Sequence, residues 1–157
     1  MLCIRVLKRN KTLVKIELDN NHLSSATCKA FGEALLVNSS LVTLSLDSNP
    51  LLEKGASGFA SLAEALRTNT TLISLNFWRC GIDAAHGNHL ANCLEDSETV
   101  LFCDISHNMI DMADQKRIAD RLDANLSAFE SRERSRRSVE EVERLDAEKR
   151  RKEEEVS

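Results

Sequence analysis

An α/β solenoid of about four strand–helix units, followed by a charged C-terminal helix, is the fold the sequence predicts. Three observations predict it: a motif that returns every 28–31 residues, a helical pattern that returns in step with it, and the loss of both after Asn125. The 157 residues leave room for one domain with an appendage, and 42% apolar content can supply its core.

The motif is Leu13-x-x-Ile16-x-Leu18-x-x-Asn21-x-Leu23. It recurs from Leu41 (Leu44, Leu46, Asn49, Leu51), from Leu72 (Leu75, Phe77, Cys80, Ile82) and from Val100 (Cys103, Ile105, Asn108, Ile110), in steps of 28, 31 and 28 residues. Its centre alternates apolar and polar residues, as a strand with one face inward requires. A helix follows in each unit. Phe31, Leu62, Leu90 and Ile118 align, Leu35, Leu66, Leu94 and Leu122 align four residues later, and the spacing puts both on one helical stripe. Beside them the small residues Gly32, Ala63, Ala91 and Ala119 are expected to let each helix sit close to the strand beneath it.

Helix starts are expected at Ser24 or Ser25, Asp83 and Asp111, whose side-chain oxygens can cap orphan backbone N–H groups, with Asp114 near the positive end of the last dipole. Helix ends are expected at Asn38, Asn69, Ser97 and Asn125. Leu7 and Asn10 match that ending, so residues 1–11 read as the tail of an incomplete unit. The array then divides into 12–40, 41–70, 71–98 and 99–125, the extra residues of the second unit falling in a longer loop within Asn49–Gly58. From 126 to 157 the motif is gone: 19 of 32 residues are charged, and neither Gly nor Pro occurs. This segment is expected to be an exposed helix. Val139, Val142 and Leu145 offer the start of a coiled-coil seam, too short to dimerise alone.

Twenty-one basic against 25 acidic residues give a formal charge of −4, which supplies no overall attraction to nucleic acid. No run is long and apolar enough for a membrane span, and the N-terminus lacks a signal-peptide cleavage site. Cys3, Cys28, Cys80, Cys93 and Cys103 are odd in number and contain no CxxC, so free thiols in a reducing, cytoplasmic setting are expected.

The LxxLxLxxN/CxL signature, four times in register, resembles the ribonuclease-inhibitor-type leucine-rich repeat family over about residues 1–125. The resemblance implies strands on a concave face, helices on a convex face, and a protein-binding scaffold with no catalytic residues, cofactor, metal or small-molecule substrate. It places Cys80 where the motif allows Asn or Cys, turns Cys103 inward in place of a strand Leu, and sets Cys93 in a helix column with Ala34 and Ala65. A repeat array joined to a charged helix is also similar in layout to leucine-rich-repeat subunits of ciliary axonemes, which implies a cytoskeletal location within a larger complex. The array has no polar N-terminal cap, so either the domain begins before Met1 or another chain covers its first strand.

Outward strand positions stack into columns: Lys15, Thr43, Ser74, Phe102; Glu17, Ser45, Asn76, Asp104; Asp19, Asp47, Trp78, Ser106; and Asn20, Ser48, Arg79, His107. The partner-binding candidates are Glu17, Asp19, Asp47 and Asp104 for charge, with Trp78, Arg79 and Phe102 as an aromatic and cationic end, because Trp and Arg dominate interface energetics. Asp19 and Asp47 have the spacing of a carboxylate pair, but an open ridge offers no pocket, so a lure for a basic partner is the simpler reading. Cys80, His86, His89 and Cys93 form C-x5-H-x2-H-x3-C. Zinc is set aside because Cys80 belongs to the loop ladder and Leu90 faces inward, leaving His86 and His89 as solvated helix histidines. In the tail, Arg132, Arg134, Arg136 and Arg137 could contact a second protein. The alternative is a nucleic acid or other acidic surface, and Ser135 sits in a basophilic kinase pattern.

Overall fold

Each motif copy contributes one short strand, and each strand is joined to the next by a helix. The computed structural model describes residues 2–155, with side chains from residue 4. In chain order the elements are α1 (Leu2–Leu7), β1 (Lys15–Glu17), α2 (Ser25–Leu35), β2 (Thr43–Ser45), α3 (Ser57–Ala65), β3 (Ser74–Asn76), α4 (Ala84–Glu95), β4 (Phe102–Asp104) and α5 (Met112–Glu155). The strands form one parallel sheet in the order β1-β2-β3-β4. Lys15, Thr43, Ser74 and Phe102 pair in register, as do Ile16, Leu44, Leu75 and Cys103, and Glu17, Ser45, Asn76 and Asp104. The middle position of each strand points into the core, where Leu44 and Leu75 are buried and Ile16 and Cys103 are packed against it.

Phe31, Phe59 and Phe77 are the largest fully buried side chains, surrounded by motif leucines and by Leu62, Leu90 and Leu94 of the helices. Burial drives the Cys28 and Cys103 thiols up to about 12 and the Cys80 thiol up to about 11. These four-element layers are held in step by two asparagine ladders. Asn49 accepts from the Asn21 and Leu23 amides and donates to the carbonyls of Leu18, Leu46 and Asp47. Asn108 does the same for Cys80, Ile82, Phe77, Ile105 and Ser106. Cys80 takes up the donor part of that role, its Sγ–H reaching the Leu46 carbonyl at 3.1 Å. The side chain of Cys3 lies outside the described residues.

Just past α2 and α3, Asn38 donates to the Leu7 and Asn10 carbonyls and Asn69 to those of Leu35 and Asn38; within α5, Asn125 donates to those of Ser97 and Val100. Ser97 occupies one rung of this ladder with too short a side chain. Its Oγ is a buried side-chain oxygen without a hydrogen-bond partner, and Thr99 reaches the Asn69 carbonyl in its stead at 3.3 Å. Ser97→Asn is therefore expected to raise the unfolding free energy by about 1 kcal/mol in urea melts. A loss of stability would show that the rung has no room for an amide.

Three expectations need correction. The small-residue column does not serve helix-to-strand packing at its two ends: a Cβ on Gly32 would meet the Ser61 carbonyl oxygen of the next helix at 2.6 Å, and Ala119 is exposed. The last helix does not end at Asn125, because no Gly or Pro follows to stop it. Among the caps, Asp83 accepts from the His86 amide at 2.9 Å, but Ser24 makes no side-chain cap bond, and the N-cap of α3 is Ala56, which has no side-chain acceptor. Ser25 turns instead to the next unit and accepts from the Gly58 amide at 2.9 Å. Asp114 is buried and accepts from Asn88 and Arg117.

After each strand the chain turns through one residue in the left-handed region: Asn20 (φ 53°), Ser48 (φ 54°), Arg79 (φ 50°) and His107 (φ 57°). The turn lets the backbone leave the sheet while the amides of Asn20, Ser48 and Arg79 still donate to Asp47, Trp78 and Ser106 of the following unit.

Residues 1–125 and 126–157 form two separate units. In the second, Val139, Val142 and Leu145 are exposed, and ion pairs one turn apart lace the helix: Arg136 with Glu133 and Glu140, Arg144 with Glu141, Lys152 with Glu148. Among the described residues no helix is long and apolar enough to cross a membrane.

Candidate interaction surface

The register of the sheet brings the outward columns together on one face, and each rung differs in what it leaves available. Glu17 and Asp104 are exposed; Lys15 lies 2.8 Å from Glu17, and Asp104 accepts from the Ser106 amide. Asp19 is exposed but occupied, since its Oδ1 accepts from the Ser45 hydroxyl at 2.5 Å and from the Asp47 amide at 3.0 Å. Asp47 accepts in turn from the Ser48 hydroxyl at 2.6 Å. The Asp19 carboxylate is therefore partly spent on tying the first unit to the second, and that of Asp47 on its own turn, so the free charge of the column is smaller than its residue types suggest.

Trp78 is half-buried. Its ring stands edge-on to His107 with centroids 4.8 Å apart, and the Arg79 guanidinium lies 6.0 Å from its centre. The ring thus leans on the next rung while the guanidinium adds a cation–π contact. Phe102 is 55% exposed at the start of β4, in a different column from Trp78. Arg79 and His107 also line a shallow groove with Asn20, Ser48, Pro50 and Met109 along the edge where the strands end.

On the tail, Arg134 and Arg137 lie beside Phe129 in a shallow depression with Glu130 and Glu133. Arg132 is exposed, and Arg136 is taken up by Glu133 at 2.7 Å and Glu140 at 3.2 Å. That hydrogen bond holds the Glu133 carboxyl below its ordinary value. The basic block is thus locally compensated at Arg136.

The C-x5-H-x2-H-x3-C residues do not assemble as a foursome. Cys80 stays in the loop ladder, and His86 Nδ1 sits 2.7 Å from the Asp83 carboxylate against the Phe59 ring. Neither histidine is the solvated residue expected, because α3 and the α4 cap supply each with a carboxylate. His89 meets Cys93 and Glu64, the last contributed by α3. Glu64 escaped notice because it lies 29 residues from Cys93, one unit away, and forms no local pattern with it. A second feature missed was a basic groove of Arg5, Lys8, Arg9 and Lys29 between α1 and α2, with Lys8 paired to Glu33 at 3.0 Å; the one-turn spacing of Arg5 and Arg9 was the available signal.

No family model matches the chain. Human NACHT, LRR and PYD domains-containing protein 2 is 31% identical over 111 residues, covering 70% of this chain and 10% of its own length. The corresponding human protein 13 is 33% identical over 109 residues, covering 69% and 10%. Human capping protein, Arp2/3 and myosin-I linker protein 3 is 29% identical over 107 residues, covering 68% and 8%. The chain therefore spans about a tenth of the length of the curated relatives it matches. Among solved structures, leiomodin-1 actin-binding site 2 superposes with a TM-score of 0.71 at 22% identity over 87% of this chain and 78% of its own. The tropomodulin C-terminal domain of Caenorhabditis elegans does so with 0.72 at 19% over 84% and 78%. The chain has a leucine-rich-repeat-like α/β fold.

Proposed function

We propose that this chain is a non-enzymatic protein-interaction scaffold of the cytoskeleton, a leucine-rich-repeat solenoid of the ribonuclease-inhibitor type that binds a protein partner across its strand face. The observation that carries the reading is the Trp78 ring, held half-exposed against His107 with Arg79 beside it. Around this anchor Phe102, Asp104 and Glu17 supply further contact, with Asp19 and Asp47 as minor charge. Arg132, Arg134 and Arg137 of α5 form a second protein contact. The leiomodin and linker-protein likenesses support a cytoskeletal partner, and actin is the first to test. The axonemal refinement rests on layout alone and is not carried further.

Trp78→Ala is expected to weaken partner binding about thirtyfold or more, the effect of losing 2 kcal/mol at an interface, while the melting temperature stays near that of the parent. Co-sedimentation with filamentous actin, read beside thermal melts, checks both. Unchanged binding accompanied by unfolding would make Trp78 a packing residue and move the search to the helix side. Glu17→Gln tests charge more cleanly than Asp19→Asn, because Asp19 also holds Ser45 and Asp47.

A further inference from the structure

The three side chains that meet between α3 and α4 have the geometry of a metal site. Glu64 Oε1 lies 3.2 Å from His89 Nε2, Cys93 Sγ lies 3.6 Å from Glu64 Oε1, and Cys93 Sγ lies 3.7 Å from His89 Nε2. Tetrahedral zinc, with bonds of about 2.0 Å to oxygen and nitrogen and about 2.3 Å to sulfur, separates its ligands by roughly 3.3 Å for O···N and roughly 3.5 Å to the sulfur. All three observed edges fall within about 0.2 Å of those values. We propose that Glu64, His89 and Cys93 bind a zinc ion between the second and third units.

The surroundings favour it. His89 and Cys93 are four residues apart, hence on one face of α4. Arg67 donates from Nε to the other carboxylate oxygen, Glu64 Oε2, at 2.9 Å, which turns Oε1 toward the histidine and thiol. Its Nη1 is anchored by the Asn92 carbonyl at 3.2 Å and by Asp96, so the guanidinium charge has its own counter-ion. This is how a neighbouring group orients a ligating carboxylate. Cys93 is buried beneath, while the Glu64 and His89 side chains are 50% and 32% exposed, so the fourth position opens to water, as in sites with three protein ligands.

Binding forms Zn–S, Zn–N and Zn–O bonds and breaks the Cys93 S–H bond, whose proton goes to solvent; histidine binds as neutral imidazole and no electrons are transferred. Carboxylate and thiolate together balance the dication.

Titration of the full, metal-free chain with cobalt(II), followed by displacement with zinc, tests the site. One equivalent of cobalt is expected to produce a thiolate-to-cobalt charge-transfer band that zinc abolishes. Cys93→Ala should remove the band. Its helix column already holds buried alanines at 34 and 65, so this variant should fold, which circular dichroism checks. His89→Ala and Glu64→Gln should each weaken zinc binding at least tenfold, and Cys80→Ala should leave the band intact. No band at saturating cobalt, or a band that survives Cys93→Ala, would overturn the proposal.

Discussion

Replacing Phe59 by alanine is expected to lower the unfolding free energy by about 3–5 kcal/mol. The side chain is fully buried, its ring meets Phe77 edge-on with centroids 5.6 Å apart, and His86 closes the other side at 6.2 Å. Truncation removes the transfer energy of the ring and leaves a cavity that the two flanking units can close only by moving toward each other. A domain of this size has a total stability of roughly 5–15 kcal/mol, so the loss is a large share of it. Because stacked units couple mainly to their neighbours, the urea transition should also broaden. A cost below about 1.5 kcal/mol would mean that the site collapses freely, as only volume-conserving changes normally do.

The adjacent position fails in the opposite way. A Cβ on Gly58 would fall 1.7 Å from the Ser25 carbonyl oxygen, where the start of α3 crosses that of α2. The obstacle is main chain, so no rotamer change relieves it. Gly58→Ala must push the two helices apart and break the bond from the Gly58 amide to Ser25 Oγ. Its cost is expected near the upper end of overpacking penalties, about 3 kcal/mol. Gly55→Ala, in the preceding loop with nothing within 4 Å of its Cβ, is the comparison. It carries backbone strain at φ 123° but no packing clash, whereas Gly58, inside α3, has the clash without that strain, so an unchanged stability of Gly58→Ala would overturn the packing argument.

What the sequence could reveal followed the directness of the physical link. Asn49 and Asn108 were legible as ladder positions because an asparagine at a fixed offset after a strand serves backbone groups within the motif itself. The outward columns were legible because strand alternation and unit spacing together determine who neighbours whom. Contacts between helices were not, since they depend on how far one helix turns relative to the next. Gly32 could be seen as small but not that it faces Ser61, and Glu64 could not be seen to reach His89 and Cys93. Nor could the column reveal that Asp19 spends its acceptor on Ser45; side-chain choice among several polar neighbours leaves no mark on spacing.

The four left-handed turn residues carry one more consequence. Glycine adopts that conformation without steric penalty, while side chains with a Cβ pay roughly 1–2 kcal/mol, least for Asn and His and more for residues such as Ser and Arg. Yet Asn20, Ser48, Arg79 and His107 stand there, and no rung carries a glycine. Two of the four flank the indole of Trp78. The edge of the sheet is thus a row where the chemical identity of the side chain outweighs backbone ease. Exchanging those four residues for one another's types would change the chemistry of that edge while the turns stay in place.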